Sequence, residues 1–101
     1  MATVKIKFAP REIMLALMLN NGTQRARDAL AVGKYMEESK LFTVDGDSKD
    51  AAEEVFDLTN NPGRQDEREE VYGNGRSLST GDIVVVGEEQ WLCCSIGWVE
   101  L

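Results

Sequence analysis

The chain has no histidine among its 101 residues, only two cysteines, and an excess of acidic over basic side chains, 18 to 11. Without imidazole there is no serine or cysteine triad of the usual kind, no histidine acid or base, and no histidine-liganded metal. Cys93 and Cys94 are adjacent, and neighbours on a strand point to opposite faces, so they cannot staple distant segments together. They read as two small, reduced, buried or half-buried apolar groups, and a single Cys-Cys pair falls short of the four thiolates of a cysteine-only zinc site. The longest apolar stretch, Ile13 to Leu19, is much shorter than the roughly 20 residues that cross a bilayer. The opening Ala2-Thr3-Val4-Lys5-Ile6-Lys7-Phe8 alternates and lacks the run of a signal peptide. A soluble protein of a reducing cytoplasm is the expectation.

What is present suffices for one folded domain over residues 1–101, since 43% of the side chains are apolar and the length is that of an ordinary single core. Charge is unevenly placed within the net -7. Residues 1–36 carry six basic and two acidic groups, residues 37–70 four basic and twelve acidic, and residues 71–101 one basic and four acidic, giving net charges of +4, -8 and -3. The acidic middle disfavours the phosphate backbone of nucleic acid, whose binding rests on Lys and Arg, and favours a basic partner. Its plainer reading is a solvated face that keeps a small protein soluble.

Val4, Ile6 and Phe8 alternating with Lys5 and Lys7 predict a strand with one buried face. Pro10 then opens a short helix, Arg11 to Leu19, stopped by Asn20-Asn21-Gly22 and so apolar that it must be buried on most sides or pressed on a partner. Thr23 can cap a second helix from Gln24 to about Val32, with Ala26, Ala29 and Leu30 on its inner face and Gly33 closing it. Tyr35 to Val44 reads as a strand, firmest at Leu41-Phe42-Thr43-Val44, before the turn Asp45-Gly46. Asp47 or Ser48 caps a third helix in which Ala51, Ala52, Val55, Phe56 and Thr59 recur at helical spacing, and which ends at Asn60-Asn61 ahead of Pro62.

Pro62 to Gly75 is polar and highly charged, and predicts a long exposed loop suited to partner contacts, with Val71 and Tyr72 as its anchors. Beyond it, Ile83-Val84-Val85-Val86, Gln90 to Cys94 and Trp98 to Leu101 form a three-stranded meander. The fold class is therefore α+β, a small and mostly antiparallel sheet with about three helices.

The runs Lys34-Tyr35 through Leu41 to Val44, Val55 to Asn60, Arg76-Ser77-Leu78-Ser79-Thr80-Gly81-Asp82-Ile83-Val84 and Ile96-Gly97-Trp98 together resemble the YodL-like domain. That family consists of small, mostly uncharacterised proteins of bacteriophages, plasmids and mobile elements. The resemblance covers residues 34–101 and departs from the pattern at Trp98, where phenylalanine is more usual, and in a longer Tyr35 to Val44 segment. Residues 1–33, the N-terminal strand and helices, carry no such likeness. The resemblance implies a protein acting in the cytoplasm of a bacterial host.

In the motif itself Leu78 can plug a core end, the hydroxyls can bond free backbone groups at a strand entrance, and Gly81 can take a backbone conformation closed to other residues. The functional alternative is a small polar pocket of Arg76, Ser77, Ser79 and Asp82 with Asn60 from the third helix. No serine has a visible base, and Glu69-Glu70 and Glu88-Glu89 lack the unequal environments of an acid-base pair, so no catalytic residue, cofactor or metal is assigned.

The reading preferred on these grounds is a non-catalytic interaction module that binds and inhibits or redirects a host protein with a basic surface, such as a defence or nucleic-acid-processing complex. Asp66, Glu67, Glu69, Glu70 and Tyr72 are its partner-binding residues. A small-molecule-binding or enzymatic module built on the strand-entrance residues is the alternative. Direct nucleic-acid binding through Lys5, Lys7, Arg11, Arg25, Arg27 and Lys34 ranks last, and the opposed charges of the thirds also suit a homo-oligomer.

Overall fold

A computed structural model describes residues 1–16 and 22–101, with the side chains of 14–16 excepted. The first strand, β1 (Ala2–Phe8), is followed by α1 (Arg11–Ala16) and α2 (Gly22–Ala31). The expected continuation of α1 to Leu19 and its stop at Asn20-Asn21 lie outside the described residues. Next come two short strands, β2 (Glu37–Glu38) and β3 (Phe42–Val44), then α3 (Ser48–Asn60). A 3-10 turn at Pro62–Arg64 leads into α4 (Gln65–Val71), and β4 (Ile83–Val86), β5 (Glu89–Cys93) and β6 (Trp98–Glu100) complete the chain.

All strand pairs are antiparallel. The sheet runs β2-β1-β4-β5-β6, and β3 also pairs with β1. The expected α+β fold with its C-terminal meander is thus the observed one. β2 and β3 share one flank of β1, with Lys7 opposite Glu38 and Val4 opposite Phe42. The single strand expected from Tyr35 to Val44 is therefore broken, and Ser39 marks the break. Its amide donates to the Ile6 carbonyl and its hydroxyl accepts from the Ile6 amide, both at 2.8 Å, so a side chain replaces a backbone carbonyl in the ladder.

Alternation along β1 and β4 divides the interior into two cores. Val4, Ile6, Val84 and Val86 face Ala51, Ala52, Val55 and Leu58 of α3, joined by Phe42, Val44, Tyr72 and Leu78. On the opposite face Ile83 and Leu92 meet Ile13, Ala26, Ala29 and Tyr35, with Val85 and Leu101 packed alongside. β4 reads as an unbroken apolar run because it is covered on both sides. β1 is covered on one side only, and its other face carries Lys5, bonded to Glu38 at 3.1 Å, and Lys7, bonded to Gln90 at 3.0 Å.

Three expectations change here. Pro62 to Gly75 is mostly helical rather than an exposed loop, because Pro62 suits a first turn, Asp66 and Glu67 suit the positive start of α4, and Arg64 and Arg68 tie the segment down. Phe56 is 42% exposed, and Leu58 takes the core position beside Val55. Asp47 occupies the cap position of α3 but makes no side-chain cap bond, and the Ser48 hydroxyl donates instead to Glu89 at 3.0 Å.

Candidate functional site

Residues 76–82 carry the chain from α4 into β4, and their geometry centres on Asp82, whose side chain is fully buried. Its carboxylate accepts from both terminal nitrogens of Arg76 at 2.9 Å, from the Ala9 amide at 2.7 Å and from the Ser79 amide at 2.8 Å. Four donors around one carboxylate satisfy a buried charge that would otherwise be costly. The Arg76 guanidinium lies 4.5 Å from the centre of the Phe8 ring, so the group joining the loop to Asp82 also stacks on the end of β1.

Gly81 follows the same logic. Its φ of 97° is open to glycine and strained for other residues, its amide donates to Cys93 at 2.7 Å, and its carbonyl accepts from the Tyr35 hydroxyl at 2.7 Å. Burial, then the nearby Asp82 charge, raises the Tyr35 phenol above its ordinary range. The same two causes, with Cys94, push the Cys93 thiol up to about 12. Burial also raises Cys94. Both thiols are free, Cys93 buried and Cys94 half-buried, and neither has the lowered pKa of a reactive nucleophile.

A second set of bonds holds the loop to α3 and α4. Asn60 donates to the Leu78 carbonyl at 3.0 Å, the Ser77 hydroxyl to the Thr59 carbonyl at 2.7 Å, and the Leu78 amide to the Thr59 hydroxyl at 3.1 Å. Arg68 reaches the carbonyls of Thr59, Gly73 and Gly75. The residues expected to form a pocket thus fall into two latches: Arg76, Ser79 and Asp82 at the end of β1, and Asn60 and Ser77, with the Leu78 backbone between them, on α3. Apart from the Arg76–Asp82 pair, these bonds run between side chain and backbone or within the latches. Near the C-terminus, Gly97 turns with φ 79° and Trp98 packs on the α3 core from β6.

Tyr72, expected as a partner contact, is 3% exposed. Its ring packs 5.0 Å from that of Phe42 and its hydroxyl donates to the Arg76 carbonyl at 2.6 Å. Gly75 leaves room for it, since a Cβ there would meet the Tyr72 ring at 2.6–3.1 Å. Helix formation turns Tyr72 inward and leaves Asp66, Glu67, Glu69 and Glu70 outside.

Those four belong to a wider acidic surface. α3 contributes Asp50, Glu53, Glu54 and Asp57. The cations of the same region are mostly absorbed: Arg64 binds Glu54, Asp57 and Glu67 at 2.6–2.8 Å, Arg68 is held by carbonyls and by the Tyr72 ring at 5.2 Å, and Lys49 pairs with Glu53 at 3.7 Å. The hydrogen bond to Arg64 holds the Glu67 carboxyl below its usual range. Arg64 and Arg68 are the residues that sequence reasoning passed over. Arg64 stands at the turn three residues before Glu67, and Arg68, one helical turn on, reaches the carbonyls of Gly73 and Gly75 beyond the end of α4, a pattern legible only once the stretch is read as a helix.

The basic residues of the N-terminal third do not share a single face. Lys5 and Lys7 lie on one face of β1, Lys34 faces Glu12 at 3.6 Å, and Arg27 reaches the Glu100 carbonyl at 3.4 Å. Among the described residues no three carboxylate or thiol groups converge as a metal site would require, and no helix is long and apolar enough to cross a membrane. No family model matches the chain, and neither a curated protein nor a solved structure matches it.

Proposed function

We propose that the chain is a non-catalytic interaction module that applies the acidic surface of α3 and α4 to a basic patch on a host protein and thereby inhibits or redirects it. One observation carries this reading. Arg64 and Arg68 are drawn into internal bonds, so the exposed side of the helix pair presents Asp50, Glu53, Asp57, Asp66, Glu69 and Glu70 with Lys49 as the exposed cation among them. A rigid anionic outline of this kind suits a surface evolved to hold phosphates, and a defence or nucleic-acid-processing complex in a bacterial cytoplasm offers one. The likeness of residues 34–101 to the YodL-like domain supports a phage or mobile-element setting.

The test is affinity purification of the tagged chain from its host, beside a triple variant Asp66→Lys, Glu69→Lys, Glu70→Lys. Those three carboxylates make none of the ion pairs that hold α4 to α3, so the variant keeps that tie and loses only the modest charge–dipole support of Asp66. A protein captured at low salt by the natural chain and lost by the variant supports the reading. Equal capture by both would remove the acidic contact from it.

A further inference from the structure

A cleft of about 310 Å³ opens where β1 ends and the segment after α2 passes it. Its size lies at the lower end of the range for small-ligand sites. Phe8, Pro10 and Met36 supply apolar wall, and Arg11, Lys34 and Arg76 supply three cations against the single lining carboxylate of Glu37. This concentration of positive charge stands out in a chain of net charge -7.

The three cations are not equivalent. Arg76 is fixed by Asp82, by the Ser77 carbonyl at 3.2 Å and by the Phe8 ring, yet its side chain remains 42% exposed. The ordering entropy of a guanidinium is therefore already spent in the free protein. Asp82 has two backbone amides as further donors, so its charge is shared rather than matched by Arg76 alone. Among the described residues Lys34 has only the long, solvent-washed contact to Glu12, with 59% and 64% of the two side chains exposed, a pairing of little strength. Arg11 makes no ion pair among the described residues. Met36, 84% exposed, stands at the mouth as uncovered apolar surface. A neighbouring depression of about 400 Å³ lacks this bias, because Glu12 and Asp28 there balance Arg25 and Lys34.

We propose that this cleft binds a small organic oxyanion, a carboxylate or a phosphate monoester carrying a flat apolar group. The anionic head sits among Arg11, Lys34 and the preset Arg76, and the apolar body lies on Pro10 and Met36. The site lies apart from the α3–α4 surface and stands or falls independently of the docking proposed above.

Benzoate and phenyl phosphate serve as probes in an amide-shift titration by NMR, against sodium chloride at equal ionic strength. Saturable shifts at Phe8, Arg11, Met36 and Arg76 with either probe support the site, and the probe that saturates identifies the head group. The Arg11→Glu, Lys34→Glu double variant leaves Asp82 and its donors untouched, keeps the melting temperature, and weakens binding by about ten-fold or more. Shifts that fail to saturate, that match those from chloride, or that persist unchanged in the double variant would overturn the proposal.

Discussion

At the scale of single residues, Asp82 does the most. Asp82→Ala leaves the amides of Ala9 and Ser79 without their acceptor and removes the partner of Arg76. Because Arg76 is partly exposed and can regain water, we expect a loss of about 2–4 kcal/mol, at or below the usual range for breaking a buried pair. Urea denaturation measures it, and a loss under about 1 kcal/mol, the size of one ordinary hydrogen bond, would mean that water takes over the role of the carboxylate. Tyr35→Phe removes a single buried donor from Gly81 and should cost about 1–2 kcal/mol. The importance of residues 76–82 was visible in the sequence, since Gly81-Asp82 before a strong strand demands a specific turn. Their bonding partners were not, because Ala9 and Tyr35 are brought in from 73 and 46 positions away, and a local pattern carries no information about such pairs.

At the scale of elements, legibility follows apolar periodicity. β1, α3 and the closing meander carry it, and it sets their boundaries to within a few residues. α4 does not, for Gln65 to Val71 buries no residue of its own and places only Val71 against the core. Its helical state rests on Arg64 and Arg68, and propensity alone leaves so short a segment marginal. Arg64→Ala should therefore loosen α4 specifically: amide exchange speeds up in Gln65 to Val71 while α3 stays protected, and the melting temperature falls by a few degrees. Since Asp57 and Glu67 are about half exposed while Glu54 is more sheltered, that fall should shrink in about 1 M salt without vanishing, because screening weakens the exposed contacts of the natural protein most. Unchanged exchange in α4 would show that packing of Val71 and Tyr72 is sufficient. The break between β2 and β3 was hidden for a related reason, because a serine standing in for a backbone carbonyl looks in sequence like any polar residue on an exposed strand.

At the scale of the whole molecule, several ionisable groups share one preference. Cys93, Tyr35 and Tyr72 are all raised, chiefly by burial and in each case also by the charge of Asp82. Folding thus favours their protonated forms. In the unfolded chain the Cys93 thiol gives up its proton near its ordinary value of 9.0, whereas in the folded protein it holds it to about 12. Between those limits the folded state binds more protons, so stability falls as pH rises, by up to about 1.4 kcal/mol per pH unit for each group ionised only when unfolded. The contribution is fully present below pH 9 and is lost through the window to about 12. The tyrosines join from their ordinary value of 10.0 upward. Urea midpoints measured at intervals from about pH 8 to about pH 11 should decline from the first unit above 9, and Cys93→Ala should make that first unit shallower, with the raised Cys94 supplying what remains, while leaving the later, tyrosine-driven decline in place. General repulsion in a chain already at -7 would lower stability too, but equally in the natural protein and the variant. If Cys93→Ala follows the natural curve through the first unit, the Cys93 thiol is not held protonated by its burial in the fold.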